Sequence, residues 1–394
     1  MHTQTMYKKP LLAGLSALLS LTVLSAISGC ATEPVATEAS AKKYMTREER
    51  FLSLAPQGAL RPASDPWGGV VTRPAQGALM SVALHEDNVL AIWHIAPDRT
   101  VREVGQAEVG YHPDAVAALA PDIVAVAVEG AGKVNFWRIG DTQPPTKLGE
   151  ISTPFPSREI VAHDLDSDGK QDLILAPYRG KEVAILWGEG ELRFSAPQKL
   201  EAALIPWHPR VTDWDQDGRP DLIWSDWDTG SARVYLNQGK RAFKLSMLQA
   251  PQSGSPRQLG VGDVDGDGRP DAVMAMSTGK AARILFNRGA SGIVVEDVPA
   301  PAWGYVAAEV MKDGTLVLAE EQRIILARKV GGAWAFRLLP AGSLPTPILL
   351  NDLDGDGHED LVVFHSARGG TTITYGPLWE AAAPFVMPGT TNSK

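Results

Sequence analysis

Four short segments of this 394-residue chain place aspartate at the same offsets. They are Asp164-Leu-Asp166-Ser-Asp168-Gly-Lys170-Gln-Asp172, Asp213-Trp-Asp215-Gln-Asp217-Gly-Arg219-Pro-Asp221, Asp263-Val-Asp265-Gly-Asp267-Gly-Arg269-Pro-Asp271 and Asp352-Leu-Asp354-Gly-Asp356-Gly-His358-Glu-Asp360. Carboxylates at positions 1, 3 and 5 of a tight loop converge on one point, and glycine at position 6 permits the sharp turn. Hard oxygen ligands of this kind suit Ca²⁺ better than Mg²⁺ or a transition metal. The closing carboxylate falls at position 9, and position 7 (Lys170, Arg219, Arg269, His358) offers its backbone carbonyl. A single such loop reads equally well as an Asp–Gly turn whose side chain caps local amides. Four loops with identical offsets favour metal, because carboxylates clustered this densely repel unless a cation offsets them. The chain already has a net charge of −9. About four structural Ca²⁺ ions are therefore expected, stabilising the folded chain by binding it and not the unfolded one.

Position 12 separates these loops from the helix–loop–helix type, which needs a bidentate Glu there. Here it is Leu175, Trp224, Met274 and Val363. Each loop leads instead into a short apolar run: LILA from Leu173, LIWS from Leu222, AVMA from Ala272, LVVF from Leu361. A second run follows: EVAILWG from Glu182, ARVYLNQG from Ala232, AARILFNRG from Ala281, TTITYG from Thr371. Short β-rich runs between Gly and polar turns are strands, and continuous apolarity says both faces are covered.

The loops recur at a spacing of about 50 residues, with room for two units in the last gap. A decayed copy, Glu309 to Gly314, fills that gap and is assigned no metal. The second run also recurs without an acidic loop, as NVLAIWHI from Asn88, KVNFWRIG from Lys133 and RIILARKV from Arg323. Seven units of four strands predict an all-β fold, a seven-bladed β-propeller, with a linear solenoid or a two-domain β protein as the alternative. The ring would close with a strand from residues 55–80 or from APFVMP near the C-terminus.

The nonapeptide followed by a strand, repeated at this period, resembles the FG-GAP/VCBS repeats of the integrin α-subunit propeller, over roughly residues 75–380. That resemblance implies one Ca²⁺ per complete loop, held by its four aspartates.

The N-terminus reads as an address. Lys8 and Lys9 precede an apolar run from Leu11 to Ile27, a little short of the ~20 residues of a comfortable span. Ile27-Ser28-Gly29-Cys30 resembles the lipobox of bacterial lipoproteins, and Cys30 is the one cysteine of the chain. An ordinary signal peptide or uncleaved anchor is the plain alternative. The resemblance implies lipidation of Cys30 and, with Ala31 following, transfer to the outer membrane. The organisation expected is a signal at 1–29, a tether at 30–55, the propeller at 56–385 and a tail at 386–394. Within the tether, Thr46 and Glu49 allow a short capped helix through Leu54 or a solvated linker.

Composition narrows the function. An acidic chain with 37 basic and 46 acidic residues lacks the basic face that nucleic acid requires. One cysteine excludes a disulfide scaffold and a multi-thiolate zinc site. No Gly-rich phosphate loop, HExxH or GxSxG occurs, and Asp226, Asp228, Glu320 and Glu321 have no motif around them. If the metal loops join the first two strands of each blade, the opposite face is free for ligands. Its candidates are Tyr178, Arg179, Trp207, His208, Asp226, Trp227, Trp303, Tyr305, His365 and Arg368. Aromatics beside polar groups suit flat ligands such as sugar rings, or protein hot spots, although most of the eleven Trp are expected to wedge between blades. The expected role is a non-enzymatic module binding an envelope protein or glycan. The alternative is an envelope lyase or hydrolase acting on polysaccharide.

Overall fold

The computed structural model describes residues 65–72, 77–249, 254–279, 281–300, 304–342, 344–366 and 370–387. Cys30, the tether, Trp303 and Arg368 lie outside them. The described chain builds seven antiparallel blade sheets in sequence order, and a two-stranded hairpin of Gly188–Gly190 and Arg193–Phe194 is inserted in the third. Six have four strands drawn from consecutive chain. Their first strands are Pro66–Thr72, Pro113–Ala120, Ser157–His163, Pro206–Thr212, Pro256–Gly262 and Ala307–Val310. The seventh begins at Pro345–Asn351 and has three strands among the described residues. Each first strand lies against the first strand of the next sheet, and the first touches the seventh, so the sheets close as the blades of a propeller.

The apolar core explains why the runs are continuous rather than alternating. Seven apolar clusters each bridge two consecutive blades, and one of them joins Met80 and Trp93 of blade 1 to Val362 and Phe364 of blade 7. In the second strand of blade 3, Leu173 and Leu175 pack toward blade 2 while Ile174 and Ala176 pack toward blade 4. Successive side chains point to opposite faces of a strand, and here both faces are buried. Trp93, Trp137, Trp187, Trp214, Trp224 and Trp379 are among these wedges, as expected.

Among the described residues, ring closure follows neither route foreseen. The segment near residue 66 is the innermost strand of blade 1 itself. The C-terminal strand Ala383–Phe385 adds to the outer edge of blade 6, along Phe336–Leu338. The seam between blades 7 and 1 is held by side-chain packing, with no strand exchanged among the described residues. A short helix, Leu378–Ala381, brings Leu378 and Trp379 into the interface of blades 6 and 7. This was not legible because either terminus has an apolar run, and only three-dimensional neighbours decide where it pairs.

Near the axis the first strands approach too closely for side chains. A Cβ at Gly260 would lie 2.8 Å from the Cα of Glu309 in the next blade. Gly260→Ala is therefore expected to cost ~1–3 kcal/mol by overpacking. Gly149→Ala, on an outer strand with nothing within 4 Å of the added carbon, serves as the control. Urea midpoints of the two variants check this, and equal midpoints would refute the axial constraint.

Candidate metal centres and the opposite funnel

The four aspartate loops join the first and second strands of blades 3, 4, 5 and 7, as the sequence required. In each loop the carboxylate at position 1 organises the turn. Asp164 accepts from the N–H groups of Asp168 (3.1 Å) and Gly169 (2.8 Å), and Asp213 and Asp263 do the same at their own loops. Gly169, Gly218, Gly268 and Gly357 all have positive φ, which is why glycine stands at position 6.

The carboxylate at position 9 is a buried anchor. Asp172 accepts the N–H of Leu165 at 2.8 Å within its own loop and that of Gly188 at 2.7 Å, beyond the blade's third strand. Asp221 does so with Trp214 and Asn237, Asp271 with Val264 and Asn287, and Asp360 with Leu353 and Gly376, all at 2.7–3.0 Å. All four aspartates are fully buried. Burial pushes their carboxyls up, Asp221 and Asp271 to about 6, against the pull of these N–H groups. A cation beside them would relieve that cost.

Three carboxylates converge at each loop, with one ligand oxygen apiece within 4.8 Å of the others. They come from positions 1, 3 and 9 in blades 3 to 5 (Asp164, Asp166, Asp172; Asp213, Asp215, Asp221; Asp263, Asp265, Asp271) and from positions 1, 3 and 5 in blade 7 (Asp352, Asp354, Asp356). The donor set is all carboxylate oxygen, and these four clusters can hold metal ions. Among the described residues, blades 1, 2 and 6 have none.

At position 5, Asp356 joins the blade 7 cluster, whereas the carboxylates of blades 3 to 5 turn to basic side chains. Asp168 pairs with Lys170, Asp217 with Arg219, and Asp267 with Arg288. The N–H groups of Lys170, Arg219, Arg269 and His358 donate to the position-5 carboxylates at 2.8–2.9 Å. The loops are also tied between blades. Asn237 of blade 4 donates to the Leu165 carbonyl of blade 3, and Asn287 of blade 5 to that of Trp214 in blade 4, both at 2.8 Å. Arg241 reaches back to Asp166 at 2.6 Å, and Arg99 of blade 1 reaches Asp354 of blade 7 at 2.7 Å, across the seam.

The opposite ends of the first strands surround a cavity of about 500 Å³. In six blades the pairing of first and second strand is interrupted near its start by a bulge. A bulge re-aims a side chain. At these places stand Trp67, Asp114, Arg158, His208, Arg257 and Thr346, and all six line the cavity. Tyr178, Trp207, Trp227 and Glu159 line it too. Deeper in, Arg210 of blade 4 bridges to Glu309 of blade 6, and Gln258 of blade 5 joins Glu309 to the Ile348 backbone of blade 7.

Tyr178, Trp207, His208 and Trp227, foreseen as ligand candidates, thus share one cavity. Of the others, Trp303 and Arg368 lie outside the described residues, and four are placed elsewhere. Tyr305 is fully buried between blades 5 and 6, its hydroxyl donating to the Pro299 carbonyl at 2.9 Å. His365 is buried and bonded to Thr372 at 3.0 Å. Asp226 is buried, accepting from the Ala203 N–H, Ser231 and Arg233. Arg179 lies 5.7 Å from the Tyr178 ring and does not line the cavity. Sequence reasoning missed Trp67, Arg158, Glu159 and Arg257. A signal existed in the proline that opens five of the first strands, at Pro66, Pro113, Pro206, Pro256 and Pro345, immediately before the rim.

Burial inside the cavity pushes Glu159 up to about 7, with Asp114 adding to the rise and Arg158 and Arg210 opposing it. Its folded value lies above the unfolded one, so the folded chain holds the extra proton between them. This group's contribution to stability is therefore present at acid pH and lost as pH rises from about 4.5 through 7. Glu159→Gln is expected to flatten that slope and to gain on the order of 1 kcal/mol at pH 8, read from urea midpoints against pH. An unchanged slope would refute the assignment.

The comparisons with known proteins agree with this architecture. Residues 164–224 and 213–274 match the model of the FG-GAP-like repeat. Among solved structures, virginiamycin B lyase from Staphylococcus aureus, in selenomethionine form, superposes with a TM-score of 0.55 at 13% identity, over 79% of this chain and 96% of its own. The WD40 β-propeller domain of Doa1 gives 0.55 at 12%, over 82% and 97%. Saccharomyces cerevisiae Sqt1 gives 0.55 at 9%, over 81% and 99%. Identities this low show the fold alone. No curated protein matches the chain by sequence. With FG-GAP-like repeats matched over residues 164–274 and a closed ring of seven blades, the chain is a seven-bladed β-propeller that carries FG-GAP-like repeats.

Proposed function

We propose that this protein is a calcium-stabilised binding module of the bacterial envelope, which engages a glycan or protein through the funnel opposite its metal loops. The carrying observation is the separation of the two faces. The carboxylate clusters are bonded into the turns and strands of their own blades, the mark of structural sites. The aromatic and cationic groups without such duties gather at the other end of the same strands.

Asp164, Asp166 and Asp172 would hold one Ca²⁺, the corresponding residues of blades 4 and 5 one each, and Asp352, Asp354 and Asp356 of blade 7 a fourth. The ion supplies charge neutralisation and fixed geometry, and no chemistry on a substrate is asked of it. The N-terminal sequence supports tethering by lipid at Cys30 to the outer membrane. Among the described residues no helix is long and apolar enough to cross a membrane.

One arrangement favours an enzyme acting on envelope polysaccharide as a second reading. At the rim, His85 Nδ1 lies 2.9 Å from Asp114, and Glu129 is pushed up to about 7 by burial and by its bond to Asp114. A carboxyl with that value can serve as a general acid. Depolymerisation of envelope polysaccharide by the purified chain, abolished in Glu129→Gln, would establish that reading in place of the first.

Calcium is tested on the full chain. Saturating Ca²⁺ is expected to raise Tm in a concentration-dependent way relative to excess chelator. Titration should give about four ions per chain, with Asp215→Asn losing one. An unchanged Tm would overturn the metal assignment. The binding role is tested by retention of glycans and envelope proteins on the immobilised chain. Retention equal to that on the heat-unfolded chain would remove it.

A further inference from the structure

Several side chains at the rim of the funnel are donors that lack an acceptor. Arg158 has its guanidinium 4.2 Å from the Trp207 ring centroid, 4.5 Å from Trp67 and 5.0 Å from Tyr178. Three rings fix its direction by cation–π contact, yet among the described residues it forms no ion pair. Arg257, two blades on, has its Nε buried with no protein acceptor. The indole N–H groups of Trp67 and Trp227 are likewise buried without an acceptor. Indole and guanidinium nitrogens can only donate, and a buried donor left unpaired is costly. The nearby carboxylates are engaged or disfavoured. Glu309 is held by Arg210 and Gln258, Asp114 faces His85, and burial favours protonation of Glu159.

A ligand for such a rim must bring acceptors and negative charge. The guanidinium fork matches a carboxylate in bidentate fashion. Tyr178, 43% exposed at the mouth, offers a ring face to the apolar C–H face of a pyranose. The cavity lies within the ~300–1,000 Å³ typical of small-ligand sites.

We propose that the funnel binds the uronic acid residues of an acidic polysaccharide, its carboxylate held by Arg158 and Arg257 and its hydroxyl and ring oxygens accepting from the indole N–H groups. This rests on the binding-module reading and names its ligand class.

The test uses the full chain, calcium-loaded and then freed of excess metal so that Ca²⁺ cannot bridge to the ligand. Calorimetric titration compares three probes: oligogalacturonate, the neutral galactose oligomer of equal length, and polyglutamate. Oligogalacturonate is expected to bind, with tenfold or greater weakening in Arg158→Gln and in Arg257→Gln and an intermediate loss in Arg257→Lys, which keeps charge but not the fork. Tm in calcium reports folding of each variant, and Arg257→Lys carries the test should a Gln variant melt early. Equal binding of the neutral oligomer, with no effect of the arginine variants, would overturn the acidic-sugar assignment and leave the binding module standing. Polyglutamate binding as tightly as oligogalacturonate would overturn the carbohydrate part. Absence of oligogalacturonate binding would overturn the proposal outright, and retention of another envelope component in the preceding assay then decides separately whether the module reading survives.

Discussion

The fold depends on a buried carboxylate that closes each metal loop. At blades 3, 4, 5 and 7 it spans from the second residue of the loop to the end of the blade's third strand, through two backbone N–H groups. Desolvation alone would push that carboxylate toward its protonated form, and neighbouring aspartates push the same way. The loop therefore has two requirements that conflict without a cation: anionic acceptors for its backbone, and relief from their mutual repulsion. A divalent ion at the cluster meets both at once. Where no ion site exists, the blade must be held otherwise. Blade 6 shows this, with Asp313 capping the Thr315 N–H and Glu359 of blade 7 accepting from Lys312.

The loops also work between blades. Each Asn at the end of the third strands of blades 4 and 5 donates to a carbonyl one blade back, in the loop that the preceding anchor holds. Arg241 and Arg99 make the same backward step with charge. Arg99 does so across the seam, where no strand is exchanged among the described residues. Each pair joins a half-exposed arginine to a largely buried carboxylate. The value of the seam pair is positional, since the seam otherwise relies on the apolar cluster of blades 1 and 7.

How much of this was written in the sequence follows from the range of each interaction. The loops and the strands after them were legible because every determinant lies within nine residues. The continuous apolar runs correctly implied two covered faces. Ring closure was not legible, because Ala383–Phe385 pairs with a blade ended some forty residues earlier and a strand's partner leaves no local mark. Tyr305 and His365 misled for a related reason: an aromatic or imidazole in an inter-strand loop looks the same whether it faces solvent or, as here, fills the core. The rim was half legible. Trp207 was found by its type, whereas Arg158 and Arg257 were ordinary arginines until the bulges placed them at one mouth. The second-position bulge after proline is the pattern that would have found Arg257, whereas the strand of Arg158 opens at Ser157.

The two faces are joined by single strands. Arg158 is the second residue of Ser157–His163, and Asp164, the first aspartate of the blade 3 cluster, follows that strand directly. Arg257 stands in the same relation to Asp263 through Pro256–Gly262. A single extended strand, seven residues long and packed on both sides, thus has a metal loop at one end and a rim residue at the other. Such a strand transmits position well because a packed interior does not deform continuously. Were an ion to bind the loop and shift that strand, the coupling between the two ends would appear equally, by reciprocity, in the affinity of the funnel for a ligand. The ion can in this way serve recognition without touching what is recognised.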